Sequence, residues 1–276
     1  EIMSGRNYYY LVAGLPDLVL EQSKLALDFA EFKLELRHHL SAFDYKLVEL
    51  ILLPIDNKNL LHLLLKTNEE FIPNGKYSLE ILEEEMKNPK ILPDYLRNFI
   101  LHFKEEQPVY PELSWEDQLT AIYLEYAAQT KNKFVSNWIK FERNVRNIMA
   151  ALTARKFKLN ARSFIIGNDE FSQTLIKSQA RDFGLAQQFP YIEKLIQIFE
   201  TNNLLEREKS LDLLRWSYLD ELNTFHYFSI EIILAFILKF QMVQRWLRLD
   251  KEAGLAIFRR LLEDLENSYE FPKEFS

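Results

Sequence analysis

Lys133-Phe134-Val135-Ser136-Asn137-Trp138-Ile139-Lys140-Phe141-Glu142-Arg143-Asn144-Val145-Arg146-Asn147-Ile148-Met149-Ala150-Ala151-Leu152-Thr153-Ala154-Arg155-Lys156-Phe157 is the stretch on which the fold turns. Its large apolar residues, Phe134, Trp138, Phe141, Val145, Ile148 and Leu152, are spaced four, three, four, three and four apart. That rhythm keeps them on one side of a helix and on no single face of a strand. The spacing predicts a helix of about seven turns over 133–157. Asn144, Asn147, Ala151 and Arg155 fall on a stripe beside the apolar one. Amides and a guanidinium at the edge of a buried face need partners, because burying them unpaired is costly.

The same periodicity extends both ways along the chain. Ser114-Trp115-Glu116-Asp117 reads as a capped helix start, followed by Leu119, Ile122, Tyr123 and Tyr126 on one face. Helices are also predicted over 169–183, 190–200, 204–221, 229–249 and 251–266. Toward the N-terminus, Tyr8-Tyr9-Tyr10-Leu11-Val12 reads as a short extended segment closed by Gly14. Pro16 opens a helix carrying Leu18, Leu25, Phe29, Phe32 and Leu36. A second is predicted from Ser41 to Leu53, stopped by Pro54 and restarting after Asp56 through Leu65. Five prolines between 73 and 111 predict short helices and turns, and the best candidate for a subdomain junction. The fold class is all-α.

Composition excludes several functions. The chain of 276 residues contains no cysteine, so disulfides, thiol nucleophiles and thiolate zinc sites are ruled out. Its six glycines are too scattered for a phosphate-cradling loop. A formal charge of −7 argues against gripping a nucleic-acid backbone. The window Ile230–Leu249 holds too many polar and charged residues to span a bilayer. Met3–Val12 is too short and polar for a secretory core, and Glu1-Ile2 read as extra residues. His38-His39 point about 100° apart on a helix and cannot simply share a metal. Glu83-Glu84-Glu85 reads as a solvated helix face. No nucleophile accompanied by a base and an orienting group is present. The expectation is a non-enzyme with no catalytic, cofactor-binding or metal-binding residues and no cofactor.

One constellation recurs. Asp56-Asn57-Lys58-Asn59-Leu60-Leu61-His62-Leu63-Leu64 matches Asn144–Leu152 when Asn59 is set on Asn147. A third, eroded copy aligns Lys239–Leu247 with Lys140–Ile148, placing Trp246 at the asparagine position. Asn59 and Asn147 lie 88 residues apart, Trp246 a further 99, and a third of the chain is 92. This predicts one elongated helical domain over 1–276 built from three similar units, approximately 8–100, 101–190 and 191–276. Asp56, Asn59, Asn144, Asn147 and Arg155 are its motif positions, expected to fasten helices to neighbouring backbone rather than to bind a partner.

Glu142–Ile148 with Arg155-Lys156 resembles the helix signature of the C-type central-stalk subunits of V-type and archaeal-type rotary ATPases, called d-type in eukaryotes. Tyr227–Lys239 is similar to that family's C-terminal helix, although Gln241 and Met242 stand where the family usually has glutamates. The opening Tyr8–Asp17 resembles instead a bacterial family of unassigned function whose members are associated with rotary-ATPase gene clusters. The resemblance implies a funnel-like array of three helical units. It implies a non-catalytic central-stalk role: a socket joining the rotary shaft (D/F-like subunits) to the membrane proteolipid ring, transmitting torque for proton or sodium ion transport. Such a protein would be cytoplasmic, peripheral on the inner membrane through the complex, and would bind no nucleic acid. A helical adaptor or scaffold unrelated to rotary ATPases would share the composition, and the three-unit repeat is what separates the two.

Overall fold

The structure, a computed structural model, describes residues 6–268, with side chains for residues 6–251. Among these residues it is all-α, with eleven helices and no strand. They are α1 (Tyr9–Ala13), α2 (Phe29–His39), α3 (Ala42–Leu65), α4 (Leu79–Lys87), α5 (Asp94–Lys104) and α6 (Trp115–Ala127). The remainder are α7 (Lys133–Phe157), α8 (Glu170–Lys177), α9 (Ile192–Glu200), α10 (Leu204–Leu222) and α11 (Ile230–Ser268). The predicted helix at 133–157 is α7 to the residue. Ser114 caps α6 as expected, its side chain accepting the Asp117 amide.

The chain forms two compact units: residues 1–32 with 226–276, and residues 33–225. In the first, α11 supplies the buried face, with Ile233, Leu234, Ile237, Phe240 and Val243 out of solvent. Phe29 stacks on Phe240 at 5.1 Å between ring centres, and Phe32 meets Phe236 edge-on at 5.6 Å. Tyr9 and Tyr10 are helical, not extended, with Tyr8 as the residue that precedes the helix. The Val12 amide donates to the Tyr8 carbonyl (2.9 Å) and the Gly14 amide to the Tyr10 carbonyl (3.2 Å). The Tyr8 amide donates outward, to the Phe228 carbonyl at 2.6 Å. Burial of Leu11 and packing of Tyr9 on Phe228 outweigh the weak strand preference of aromatic residues. The helix predicted from Pro16 begins only at Phe29. Residues 15–28 are irregular, with a turn at Leu20-Glu21, and Asp28 Oδ1 accepts the Ala30 amide and starts α2.

The second unit holds α3–α10. Its most informative departure from expectation is Pro54, which lies inside a continuous α3. A proline in mid-helix has no N–H for the carbonyl four residues back, here that of Leu50. The Tyr123 hydroxyl of α6 donates to that carbonyl at 3.1 Å and replaces the missing bond. Burial pushes the Tyr123 pKa up, so the hydroxyl keeps its proton and remains a donor. The proline-rich stretch 73–111 does contain two short helices, α4 and α5, but it lies wholly within this unit.

Few glycines are available to end helices, and other residues take their place. Lys66 and Lys158, just past α3 and α7, sit at φ 54° and 56°. Each ending closes with a bond from the next amide to the carbonyl five residues back: Thr67 to His62 (3.1 Å) and Leu159 to Ala154 (2.8 Å). This satisfies orphan carbonyls while reversing the chain.

Candidate functional site

The two long helices of the second unit carry the same device. The Asn59 side-chain amide donates to the Ile72 carbonyl and accepts the Ile72 amide, both at 2.8 Å. Asn147 does the same to Ile166, donating at 2.7 Å and accepting at 2.9 Å. A carboxamide matches a peptide group in donor and acceptor, so one side chain replaces a backbone partner for a segment in neither helix nor sheet. Each clamped segment then runs into a short helix capped by its own side chain. Ser78 caps α4 by accepting from Ile81, and Asp169 caps α8 by accepting from Ser172. The order is thus long helix, left-handed stop, clamped return and capped short helix, made twice.

The motif positions differ in what surrounds the clamp. Asp56 is fully buried and accepts the amides of Lys76 (2.9 Å) and Tyr77 (3.0 Å). The Lys33 ammonium donates to the Gly75 carbonyl at 2.6 Å beside it. Burial raises the Asp56 pKa to about 6, although the two amides, Lys33 and Lys76 favour its charge. The approach is so close that a Cβ on Gly75 would stand 2.3 Å from Asp56 Oδ1. Asn144, at the equivalent place on α7, grips no loop in this way, and its buried Oδ1 has no hydrogen-bond partner. Arginines do that work in the second copy. Arg143 pairs with Asp169, and Arg146 pairs with Asp117 and donates to the Phe164 carbonyl at 2.9 Å. Burial opposes charge on Asp169, but the Ser172 amide and hydroxyl and Arg143 hold its pKa below the usual carboxylate value. Arg155 donates to the carbonyls of Ala180 (2.9 Å), Arg181 (3.3 Å) and Ser178 (3.0 Å), with its guanidinium 4.0 Å from the centre of the Phe183 ring.

Asp56 and Asn59 therefore work together on α3, and Asn147 and Arg155 on α7. α6 packs against both helices. The third expected copy does not repeat the arrangement. Trp246 is buried at the asparagine position, but α11 continues as helix to Ser268. No return segment follows it at the distance at which Ile72 and Ile166 follow their asparagines.

Two fastenings escaped the sequence reading. Glu85, placed among solvated carboxylates, is buried, and its Oε2 accepts three successive amides, Lys90 (2.7 Å), Ile91 (2.9 Å) and Leu92 (3.1 Å). Burial opposes its charge, yet these amides bring its pKa below the ordinary value. Only Glu83 and Glu84 face solvent. The signal available was Glu85 sitting shortly before Pro89, where a turn leaves amides unpaired. Arg215 on α10 donates to Glu142 on α7 (2.8 Å) and to Asp212 (3.1 Å). Burial alone would lower the Arg215 pKa, but these carboxylates raise it.

Two shallow grooves, of about 440 and 420 Å³, flank the Gly167-Asn168 turn of the second clamp. Glu125 lines both, accepting from the Tyr110 hydroxyl at 2.7 Å. Asp169 lines the larger but is engaged by Arg143. Among the described residues there is no cluster of three or more metal-ligating side chains, and no helix long and apolar enough to cross a membrane.

The side chains thus define an all-helical protein whose buried polar residues mostly fasten its own backbone. The chain belongs to the family described as "Protein of unknown function (DUF2764)", whose model matches residues 5–269. No curated protein and no solved structure matches it.

Proposed function

We propose that the protein is a non-catalytic central-stalk subunit of a V-type rotary ATPase or ATP synthase. In this reading it is a C/d-type socket joining the D/F-like shaft subunits to the proteolipid ring. It is cytoplasmic and peripheral on the inner membrane through that complex, and it carries torque for ion transport. The observation that carries the reading is the duplicated clamp on α3 and α7. Its second copy, Asn147, sits on the helix that bears the resemblance to the C-type stalk subunits, Glu142–Lys156.

The physical demand of such a part is stiffness: a socket that yields under load stores torque instead of passing it on. Return segments held by side chains from long helices meet that demand, since buried, fully paired polar groups fix a segment in one arrangement. Packed interiors likewise transmit strain rather than absorbing it. The funnel arrangement belongs to the proposal, and α11 enters it without a clamp of its own.

The test is removal of the chain from native membranes. ATP hydrolysis by the catalytic sector should persist while ATP-driven ion pumping is lost, and re-addition of the purified protein should restore it. Unchanged pumping without the protein would leave a helical scaffold with another role.

A further inference from the structure

The sequence between Glu142 and Asp169 is the longest acid-free stretch of this acidic chain: 26 residues with six cations. Arg143 and Arg146 are neutralised by Asp169 and Asp117. Arg155 binds carbonyls and lies over the Phe183 ring, and among the described residues neither it nor Lys156, Lys158 or Arg162 forms an ion pair. The four cations Arg155, Lys156, Lys158 and Arg162 occupy the exposed end of α7 and the turn that leaves it.

Large apolar side chains protrude among them. Phe157 is 62% exposed and Leu159 50%, the latter thrown outward by the left-handed turn at Lys158. The start of α10 lies at the same end: the Lys156 ammonium is 5.6 Å and the Arg207 guanidinium 5.3 Å from the centre of the same Phe199 ring. There Leu204 and Leu205 are 67% and 60% exposed. Carboxylates at this end include Glu193 and Glu200, 3.1 and 3.9 Å from Arg181, Asp182, which accepts the Gly184 amide, and Glu206 and Glu208 on α10.

We infer that this end of the second unit, Lys156–Arg162 with Leu204-Leu205, is a docking surface for an anionic lipid bilayer. Cations flanking protruding apolar tips match a lipid interface, where charge meets headgroups and the tips enter the acyl boundary. A nucleic-acid backbone would use the cations but gain nothing from Leu159, Leu204 and Leu205. An acidic peptide helix would want a groove, and the two grooves described above flank Gly167-Asn168 instead. The inference does not rest on the shaft-and-ring reading.

The experiment is sedimentation of the purified full chain with phosphatidylcholine vesicles, with and without phosphatidylglycerol. Binding is expected only to the anionic vesicles and is expected to weaken with salt. Lys156→Gln with Lys158→Gln should weaken it roughly thirtyfold, about fivefold per lysine. Phe157→Ser with Leu159→Ser should weaken it more than about tenfold, because insertion of the tips is lost. These positions are exposed, so unchanged helicity and melting should show that the variants are folded. The control pair Lys46→Gln with Lys131→Gln, exposed lysines on α3 and before α7, should bind like the wild type. Absence of binding to anionic vesicles overturns the inference. So does equal binding to both vesicles, equal weakening by the control pair, or retention by an acidic protein with none by lipid.

Discussion

The bond from Tyr123 to the carbonyl that Pro54 leaves without its helical partner gives a prediction specific enough to fail. Tyr123→Phe keeps the ring and removes only the hydroxyl, whose 3.1 Å contact with the Leu50 carbonyl is a part-buried bond linking α6 to α3. A carbonyl deprived of both its helical amide and its substitute donor should cost about 1–2 kcal/mol. For a unit of this size that is a fall of about 3–6 °C in melting temperature. Urea unfolding followed by far-ultraviolet circular dichroism reads the difference. The diagnostic is coupling with Pro54→Ala, which restores the amide at 54 and with it the ordinary helical bond to Leu50. In that background Tyr123→Phe should cost about 1 kcal/mol less, because the carbonyl is no longer orphaned. Equal costs in the two backgrounds would refute the compensation, and so would a Tyr123→Phe protein as stable as the wild type.

Asp56 gives a pH signature. An acid whose folded-state pKa is raised, here to about 6, stabilises the fold fully only below the ordinary carboxylate value. That contribution, about 3 kcal/mol, is lost as pH rises to about 6. Glu85 and Asp169, with lowered values, act in the opposite sense and lose their contribution as pH falls. Subtracting the Asp56→Asn stability curve from that of the wild type isolates the first effect: the difference should move against the wild type from about pH 4 to 6 and then level off, and a flat difference would contradict the assignment. Gly75→Ala should destabilise by about 2–3 kcal/mol through the clash with Asp56. Gly14→Ala, whose Cβ would meet nothing closer than 3.5 Å, should change the urea midpoint little; equal effects would discount the close approach. Lys66→Gly should stabilise by about 0.5–1 kcal/mol by relieving a left-handed backbone, a gain that Lys66→Ala should not produce.

What could be read in the sequence was whatever local periodicity decides. α7 was legible because its apolar residues, Phe134 to Leu152, repeat at helical intervals through about five of its seven turns. The asparagines were legible as needing partners, since an amide beside a buried stripe cannot be left unpaired. Their partners were not, because Ile72 and Ile166 donate and accept through backbone atoms that every residue carries. Pro54 misled for a related reason: its local effect is to stop a helix, and the hydroxyl that offsets it comes from Tyr123, 69 residues away. The opening tyrosines misled because their preference for strand is weak and Phe228, which fixes their conformation, is distant in sequence. Glu85 was read from its charged neighbours, whereas its environment is set by three amides beyond the helix end.

The central functional claim is tested most directly by affinity purification of the protein from its native membranes at low salt, with identification of the proteins that accompany it. Recovery with the shaft subunits and the ring proteolipid of a rotary ATPase is expected, in a complex that loosens as salt is raised. Recovery of the chain alone, with those subunits present in the extract and assembled without it, would contradict the claim.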